Sequence, residues 1–583
     1  MERDTDTYEY GTAEALSSIP DEEYQPPSFV PSKLVNSIAK VPRFAHSSSI
    51  AYAASGNDDA RQDYLEGAVF VSAMVLLTFV VWLIILIVLK VMGASRVGCA
   101  AGKAPTYPSL ESIQAANHTL EREYEHDAVL EAEGRIKGEQ SVTGGQADEN
   151  HEDMTQWLNE VKVIEKRMRR VRIVFLVCGV IIIPASLVLI AAGFRVLDGA
   201  LKATQQNVMA TKDIIDNNLQ RVDALIMIGK QAAEVRDAAV EELASWCPNA
   251  AGGENNLIIS AEGVPSTLEF IDNGDGTLSV SFYNDTKDLL NALDALEDFI
   301  VPGSERVEEA LLLARNHAVN TYNTFEETSW WFYFAVAFTV LIVVLAIVFM
   351  VGACLAWTYR LPQCFERLQT YGIFPIFAGL LGLLWLCVSG FAFALVLNAD
   401  LCSGSPEENV VAILHQKEID MDQLLFGMAS YYIEGCTLKD KPDKPTSLFD
   451  DFLPYLESGI DLSQSFTSKI GSIDMSSLSR ACGFNVKSTT NTMTYLLQTL
   501  DAVQERTAFM VEGLYCSNFN PIYSKNMYEA ICYDGVRGLT AIFACLFVIT
   551  VAGMTMISLR VAFHEVRNES NWMEELGLDI EYS

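Results

Sequence analysis

An all-α membrane protein is the fold class this sequence predicts: five transmembrane helices with a helical, disulfide-bonded extracellular domain and a small β-hairpin insert. Three observations carry that expectation. Half of the 583 residues are hydrophobic, yet the formal net charge is -35. The two facts conflict in one soluble globule and agree if apolar stretches cross a bilayer while acidic ones face water. Five runs, 67–89, 173–194, 328–359, 372–399 and 538–559, contain no Asp, Glu, Lys or Arg. Each exceeds the roughly 20 residues needed to cross about 30 Å of hydrocarbon. Six of the 12 cysteines, Cys247, Cys402, Cys436, Cys482, Cys516 and Cys532, fall in two long loops that share one side of the membrane. An even set in an oxidising compartment reads as a disulfide framework.

The elements follow in order. Residues 1–66 form an N-terminal segment outside. Its acidic, proline-bearing start has no apolar core, so the first span acts as the targeting signal. Lys90, Arg96 and Lys103 follow that span, and Lys162, Lys166, Arg167, Arg169, Arg170 and Arg172 precede the second. Arg360 and Arg367 lie between the third and fourth spans, and Arg560 and Arg567 follow the fifth. Basic flanks face the cytoplasm. That places 90–172, 360–371 and the tail 560–583 inside, and 195–327 and 400–537 outside. Residues 104–153, polar and acidic, read as flexible. The exterior loops repeat apolar residues at helical spacing, as in Leu201, Val208, Ile215, Leu219, Val222 and Ile226. Residues 257–284 break the pattern with Gly, Asn and Asp around Leu268–Ile271 and Thr277–Phe282, which predicts a β-hairpin.

Six cysteines allow 15 connectivities. Cys402 closely follows the fourth span and Cys532 closely precedes the fifth, while Cys436 and Cys516 lie further along the same loop. Nested bridges Cys402–Cys532 and Cys436–Cys516 are therefore expected, leaving Cys247–Cys482 to join the two loops.

Chemistry-bearing motifs are weak. An EF-hand through Asp272–Thr277 would place Ile271 and Phe282 at ligand positions, where neither can coordinate calcium. Asn-Gly and Asp-Gly there favour a hairpin turn instead. Gly98 to Lys103 is one residue short of a phosphate loop and is followed by Ala104 rather than a hydroxyl. The seven histidines are scattered, and no His-Glu-x-x-His or Gly-x-Ser-x-Gly pattern occurs, so no enzyme, catalytic residue or cofactor is expected. The acidity argues against nucleic-acid partners. Uncharged spans disfavour an ion-coupled carrier. Of the sequons at Asn117, Asn284 and Asn568, only Asn284 falls outside, and it is the expected glycosylation site.

Asp400-Leu-Cys402-Ser403 with Pro406, and Tyr431-Tyr432 with Cys436, open the second exterior loop. Leu514-Tyr-Cys516, Tyr523 and Cys532-Tyr-Asp534-Gly-Val-Arg-Gly538-Leu539 close it. These segments resemble the same loop in tweety homologues. Pro42-Arg43-Phe44 and Gln62-Asp63-Tyr64 before the first span are similar but less specific. The first cytoplasmic loop is longer than that family's, the tail is shorter, and Cys247 and Cys482 fall outside its four-cysteine pattern. The resemblance implies a homodimer of the plasma membrane that conducts chloride or other anions under calcium or volume control, with the N-terminus outside and the C-terminus cytoplasmic. The family's functional arginine does not align to one position among Arg195, Arg221 and Arg236. As pore candidates, Arg195 and Lys202 follow from a channel reading. The alternative is a non-conducting lipid-binding, adhesion or membrane-organising protein, a reading that the similar five-span layout of prominins supports.

Overall fold

Lipid offers no partner to a peptide N–H or C=O, so an uncharged run that crosses it must be helical. In the computed structural model, five helices are long and apolar enough to span a membrane. The chain is a multi-pass membrane protein with the lipid bilayer as its solvent. The structure describes residues 23–42, 50–54, 58–92, 146–244, 256–260, 271–272, 277–281, 283–328, 330–358, 363–417, 423–436, 452–472 and 485–563, with Pro445, Phe449, Met475, Ser476 and Ser479.

In chain order, α1 is Lys33–Ala39, α2 Asp58–Met92, α3 Gln146–Val188 and α4 Arg195–Ala244. Strands β1 (Asn256–Ser260), β2 (Ile271–Asp272) and β3 (Thr277–Ser281) follow. Then come α5 (Tyr283–Thr328), α6 (Trp331–Trp357), α7 (Gln363–Leu368), α8 (Phe374–Leu401), α9 (Pro406–Lys417) and α10 (Gln423–Ile433). The last helices are α11 (Leu453–Gly471), α12 (Val486–Gly513), α13 (Cys516–Ser524) and α14 (Val536–Ser558). Among the described residues, π-helical segments occupy Leu189–Phe194, Gln369–Ile373 and Lys525–Gly535.

The predicted fold class, all-α with a β-hairpin, requires correction. The insert is a three-stranded antiparallel sheet in the order β1-β3-β2. Its long pairing joins Asn256–Ser260 to Thr277–Ser281, with Leu257 opposite Val280 and Ile259 opposite Leu278. Of the strand expected at Leu268–Ile271, Ile271 lies in β2, Ile271–Asp272, and 268–270 lie outside the described residues. The turn residues 273–276 lie outside the described residues. Asn284, expected at the edge of the hairpin, is instead in the first turn of α5.

The chain divides into two compact units. A span unit comprises 67–198, 330–396 and 537–583, and a loop unit comprises 1–66, 199–329 and 397–536. Within the span unit, Phe175, Ile182, Leu189, Phe349, Phe377, Trp385, Ile542 and Ile549 share one apolar core. Its buried threonine hydroxyls are turned back on their own helices: Thr339 donates to the Ala335 carbonyl and Thr550 to that of Leu546, both at 2.8 Å. Such bonds keep polar side chains satisfied in lipid. Trp330 and Tyr333, at the start of α6, are exposed, as interfacial aromatics are.

The π-segment of the second span meets α14 through small residues. A Cβ on Gly193 would lie 2.9 Å from Ile542 Cγ1, and one on Gly538 would lie 3.0 Å from the Leu197 backbone nitrogen. Each glycine thus receives the larger residue opposite it, four positions along in each chain, which is the register of an antiparallel crossing. Van der Waals packing of this kind replaces the hydrophobic driving force that lipid removes.

In the loop unit the seams are helical. Along α12, Val486, Thr489, Met493, Leu496, Leu500, Val503, Thr507 and Met510 are buried at spacings of three and four. Leu456, Gly459, Ser463, Phe466 and Ile470 repeat that spacing on α11. These helices share the core with Val222, Leu225 and Val235 of α4 and Leu311 of α5. Asn485 starts α12 by accepting from the Lys487 N–H at 3.1 Å.

Overpacking the crossing is expected to destabilise the span unit. Gly193→Val should cost about 1–3 kcal/mol, and adding Ile542→Ala should recover part of it. Thermal unfolding in nanodiscs measures both.

Candidate functional site in the loop unit

Helix α8 ends in carbonyls that need partners, and one side chain supplies them. Asn409 Nδ2 donates to the carbonyls of Asp400, Leu401 and Ser403 at 3.2, 3.0 and 3.1 Å. Beside it, Tyr64 Oη donates to Asp400 Oδ2 at 2.8 Å, with both residues buried. Asn398 Nδ2 donates to the Ile531 carbonyl at 3.2 Å. The Cys402–Cys532 bridge, with 5.4 Å between its Cα atoms, closes this collar. Helix α9 then starts on a capping sequence: the Glu408 N–H donates to Ser405 Oγ at 3.4 Å, and Pro406 fills the first helical position. Ser405 Oγ in turn donates to Glu407 Oε2 at 2.7 Å.

The second bridge, Cys436–Cys516, lies at a backbone reversal. Gly435 and Cys436 are both left-handed, with φ of 69° and 61°. That conformation is rare for a side-chain-bearing residue, and the Cys436 N–H bond to the Tyr431 carbonyl at 3.0 Å holds it. Pro26 of the N-terminal segment occupies the space a Cβ on Gly435 would take. Three residues of that segment therefore dock nearby. Tyr24 Oη donates to Asn520 Oδ1 at 2.8 Å, Pro26 covers Gly435, and the Phe29 ring lies 5.0 Å from that of Tyr528. Asn520 Nδ2 passes the connection on to the Tyr432 carbonyl at 2.7 Å. Tyr528 donates to Glu407. Burial raises the phenol of Tyr24 to about 12. Burial also raises those of Tyr523 and Tyr528, with the Glu407 carboxylate adding to both shifts.

A third contact joins α4 to α12. The Arg221 guanidinium lies 3.8 Å from the Phe509 ring centroid, and its Nη1 donates to the Phe509 carbonyl at 2.6 Å. Asn218 Nδ2 donates to the Gly513 carbonyl at 3.0 Å. Burial lowers the Arg221 pKa, and Glu512 opposes that shift. Asp216 joins α4 to α5 by accepting from Lys212 at 2.6 Å and Arg315 at 2.5 Å. The Lys212 bond, ahead of the other causes, lowers its pKa.

Cys402, Cys532, Cys436 and Cys516 are brought together as two bridges, whereas Cys247 and Cys482 lie outside the described residues. Arg195 opens α4, and both it and Lys202 are exposed. Of the other arginines, Arg221 serves the α4–α12 contact and Arg236 is buried beside Asp237. Asn117, Asn568 and Gly98 to Lys103 lie outside the described residues. Among the described residues, no three His, Cys, Asp or Glu side chains gather to hold a metal ion. Sequence reading missed the Asn409 cap and the Tyr64–Asp400 bond. Both Tyr64 and Asp400 stand in segments that drew notice, but 336 positions apart.

Losing the inner bridge by Cys436→Ser with Cys516→Ser should cost roughly 2–4 kcal/mol. Unfolding with and without reductant measures it, and the variant should no longer respond to reduction at that bridge. Tyr24 stabilises the fold in its neutral form, so its contribution is complete below the unfolded value near 10 and falls as pH rises toward 12. Tyr24→Phe should cost about 0.5–1.5 kcal/mol at neutral pH and show a shallower alkaline loss in pH-dependent unfolding. No known family model matches the chain, and no curated protein matches it significantly.

Proposed function

We propose that the chain is a tweety-like plasma-membrane protein whose loop unit faces outside and organises or adheres membranes without conducting ions. The observation that carries this reading is the apolar composition of the buried core of the span unit. Among its described buried residues, the polar ones are Arg172, Ser186, Thr339, Gln369 and Thr550. They do not make the ring of basic side chains that an anion filter uses. Arg172 instead donates to the Ala562 carbonyl at 3.2 Å beyond the end of α14. Disulfides persist in oxidising compartments, which supports the outward orientation of the loop unit. Its bridged core supplies a folded surface for a partner.

The second reading is the chloride or anion channel that the tweety resemblance implies, with calcium as its regulator. Its support is the exposure of the basic residues Arg195 and Lys202 on α4.

Purified protein in sealed liposomes separates the two. We expect anion flux no greater than in protein-free liposomes, with or without calcium, together with clustering of the proteoliposomes measured by light scattering. Flux that is lost in Arg195→Ala or Lys202→Ala would overturn this reading in favour of the channel.

A further inference from the structure

Helix α3 carries four exposed cations, Lys166, Arg167, Arg169 and Arg170. Among the described residues none of the four is in an ion pair. The chain has a net charge of -35, yet no Asp or Glu occurs from Lys166 to Arg172.

Packing fixes which way this stretch faces. Met168, Arg172, Phe175, Cys178 and Ile182 are buried. Arg172 donates to the Ala562 carbonyl at 3.2 Å, and the adjoining Phe563 ring lies 5.0 Å from Phe175 and 5.5 Å from Phe374. With about 100° between successive residues, the four cations fall within an arc of about 160° on the other side of the helix. Ile173, Val174, Val177 and Val180, all exposed, fall within the same arc. One face is therefore cationic over 166–170 and apolar over 173–180.

The depth is that of a lipid headgroup. At 1.5 Å per residue the cations precede the uncharged run that starts at Ile173 by about 4–10 Å. The headgroup layer outside the hydrocarbon is about 5–8 Å thick, and the long stems of Lys and Arg let their charges reach along it. Guanidinium groups match phosphate oxygens in geometry as well as in charge. A soluble acidic partner would answer the cations alone, whereas a lipid also answers the apolar strip in line with them.

We propose that this face of α3 holds an anionic phospholipid of the adjoining leaflet, its headgroup on Lys166, Arg167, Arg169 and Arg170 and its chains along Ile173, Val174, Val177 and Val180. The site is independent of whether the protein conducts ions.

Native mass spectrometry of the full chain tests it, after release from nanodiscs made of equal parts phosphatidylserine and phosphatidylcholine. The wild type should retain phosphatidylserine about fivefold over phosphatidylcholine, the factor expected of a single cation near an anionic surface. A variant carrying Lys166→Gln, Arg167→Gln, Arg169→Gln and Arg170→Gln should show no preference. Its counterpart with Lys166→Arg, Arg167→Lys, Arg169→Lys and Arg170→Lys should keep the preference. Washing the wild type at about 1 M rather than about 0.1 M salt, which shortens the Debye length from about 10 to about 3 Å, should remove most of it. Glycerophosphoserine, the same headgroup without chains, should not be retained. Equal retention of the two lipids by the wild type, an undiminished preference in the glutamine variant, or retention of the bare headgroup would each overturn the site. If the glutamine variant fails to fold, a wild-type preference indifferent to salt would overturn it.

Discussion

A peptide group in hydrocarbon must find its hydrogen-bond partner within the protein, and most of what is distinctive in this chain follows from that constraint. Inside the spans the ladder of the helix meets it, and threonine hydroxyls bond back to their own turns. The difficulty moves to the helix ends, where the last carbonyls have no ladder partner. Asn409 answers it at α8 with three bonds from one amide. After α14 comes the short turn Arg560–Phe563, where Arg172 donates to the Ala562 carbonyl. The π-segments are local departures from the same ladder, and one of them carries the buried side chain of Gln369.

The loop unit obeys different rules because water is available to it. Its core rests on helical seams at spacings of three and four, and burial of that apolar surface supplies its main stabilisation. The bridges constrain what the seams alone would leave free. Cys436 is held in a conformation that a non-glycine residue seldom adopts, and the N-terminal segment packs beside it, with Pro26 against Gly435 and Tyr24 on Asn520. The Tyr523 and Tyr528 phenols are partly buried beside the Glu407 carboxylate, which favours their neutral forms.

How much of this was legible in the sequence depended on the range of the interaction. The spans were readable because their signal is local: a run without charge has few fates besides lipid. The two bridges of the second loop were readable because both the spans and the cysteines constrain the same segment. The β insert was misread for the opposite reason. Leu257 to Ile259 is a short apolar run, and its partner is Leu278 to Val280, with the strand pair separated by turn signals that favour a nearer pairing. Local turn chemistry pointed to the pairing of β2 with β3, which forms, and the longer-range pairing of β1 on the other edge of β3 makes the insert a three-stranded sheet. The candidate site was legible only in part. Tyr64 and Asp400 were visible as motif residues, but a bond across 336 positions leaves no trace in spacing. The Asn409 cap is equally silent, since a lone Asn has many uses.

The nesting of the bridges has a consequence in time. A ribosome releases Cys402, Cys436, Cys516 and Cys532 in that order, so the inner partners, 80 positions apart, both exist before the outer pair can. Cys532 emerges only just ahead of the last span. The outer bridge therefore becomes available almost together with the final membrane crossing, and its closure would mark a chain whose insertion is complete.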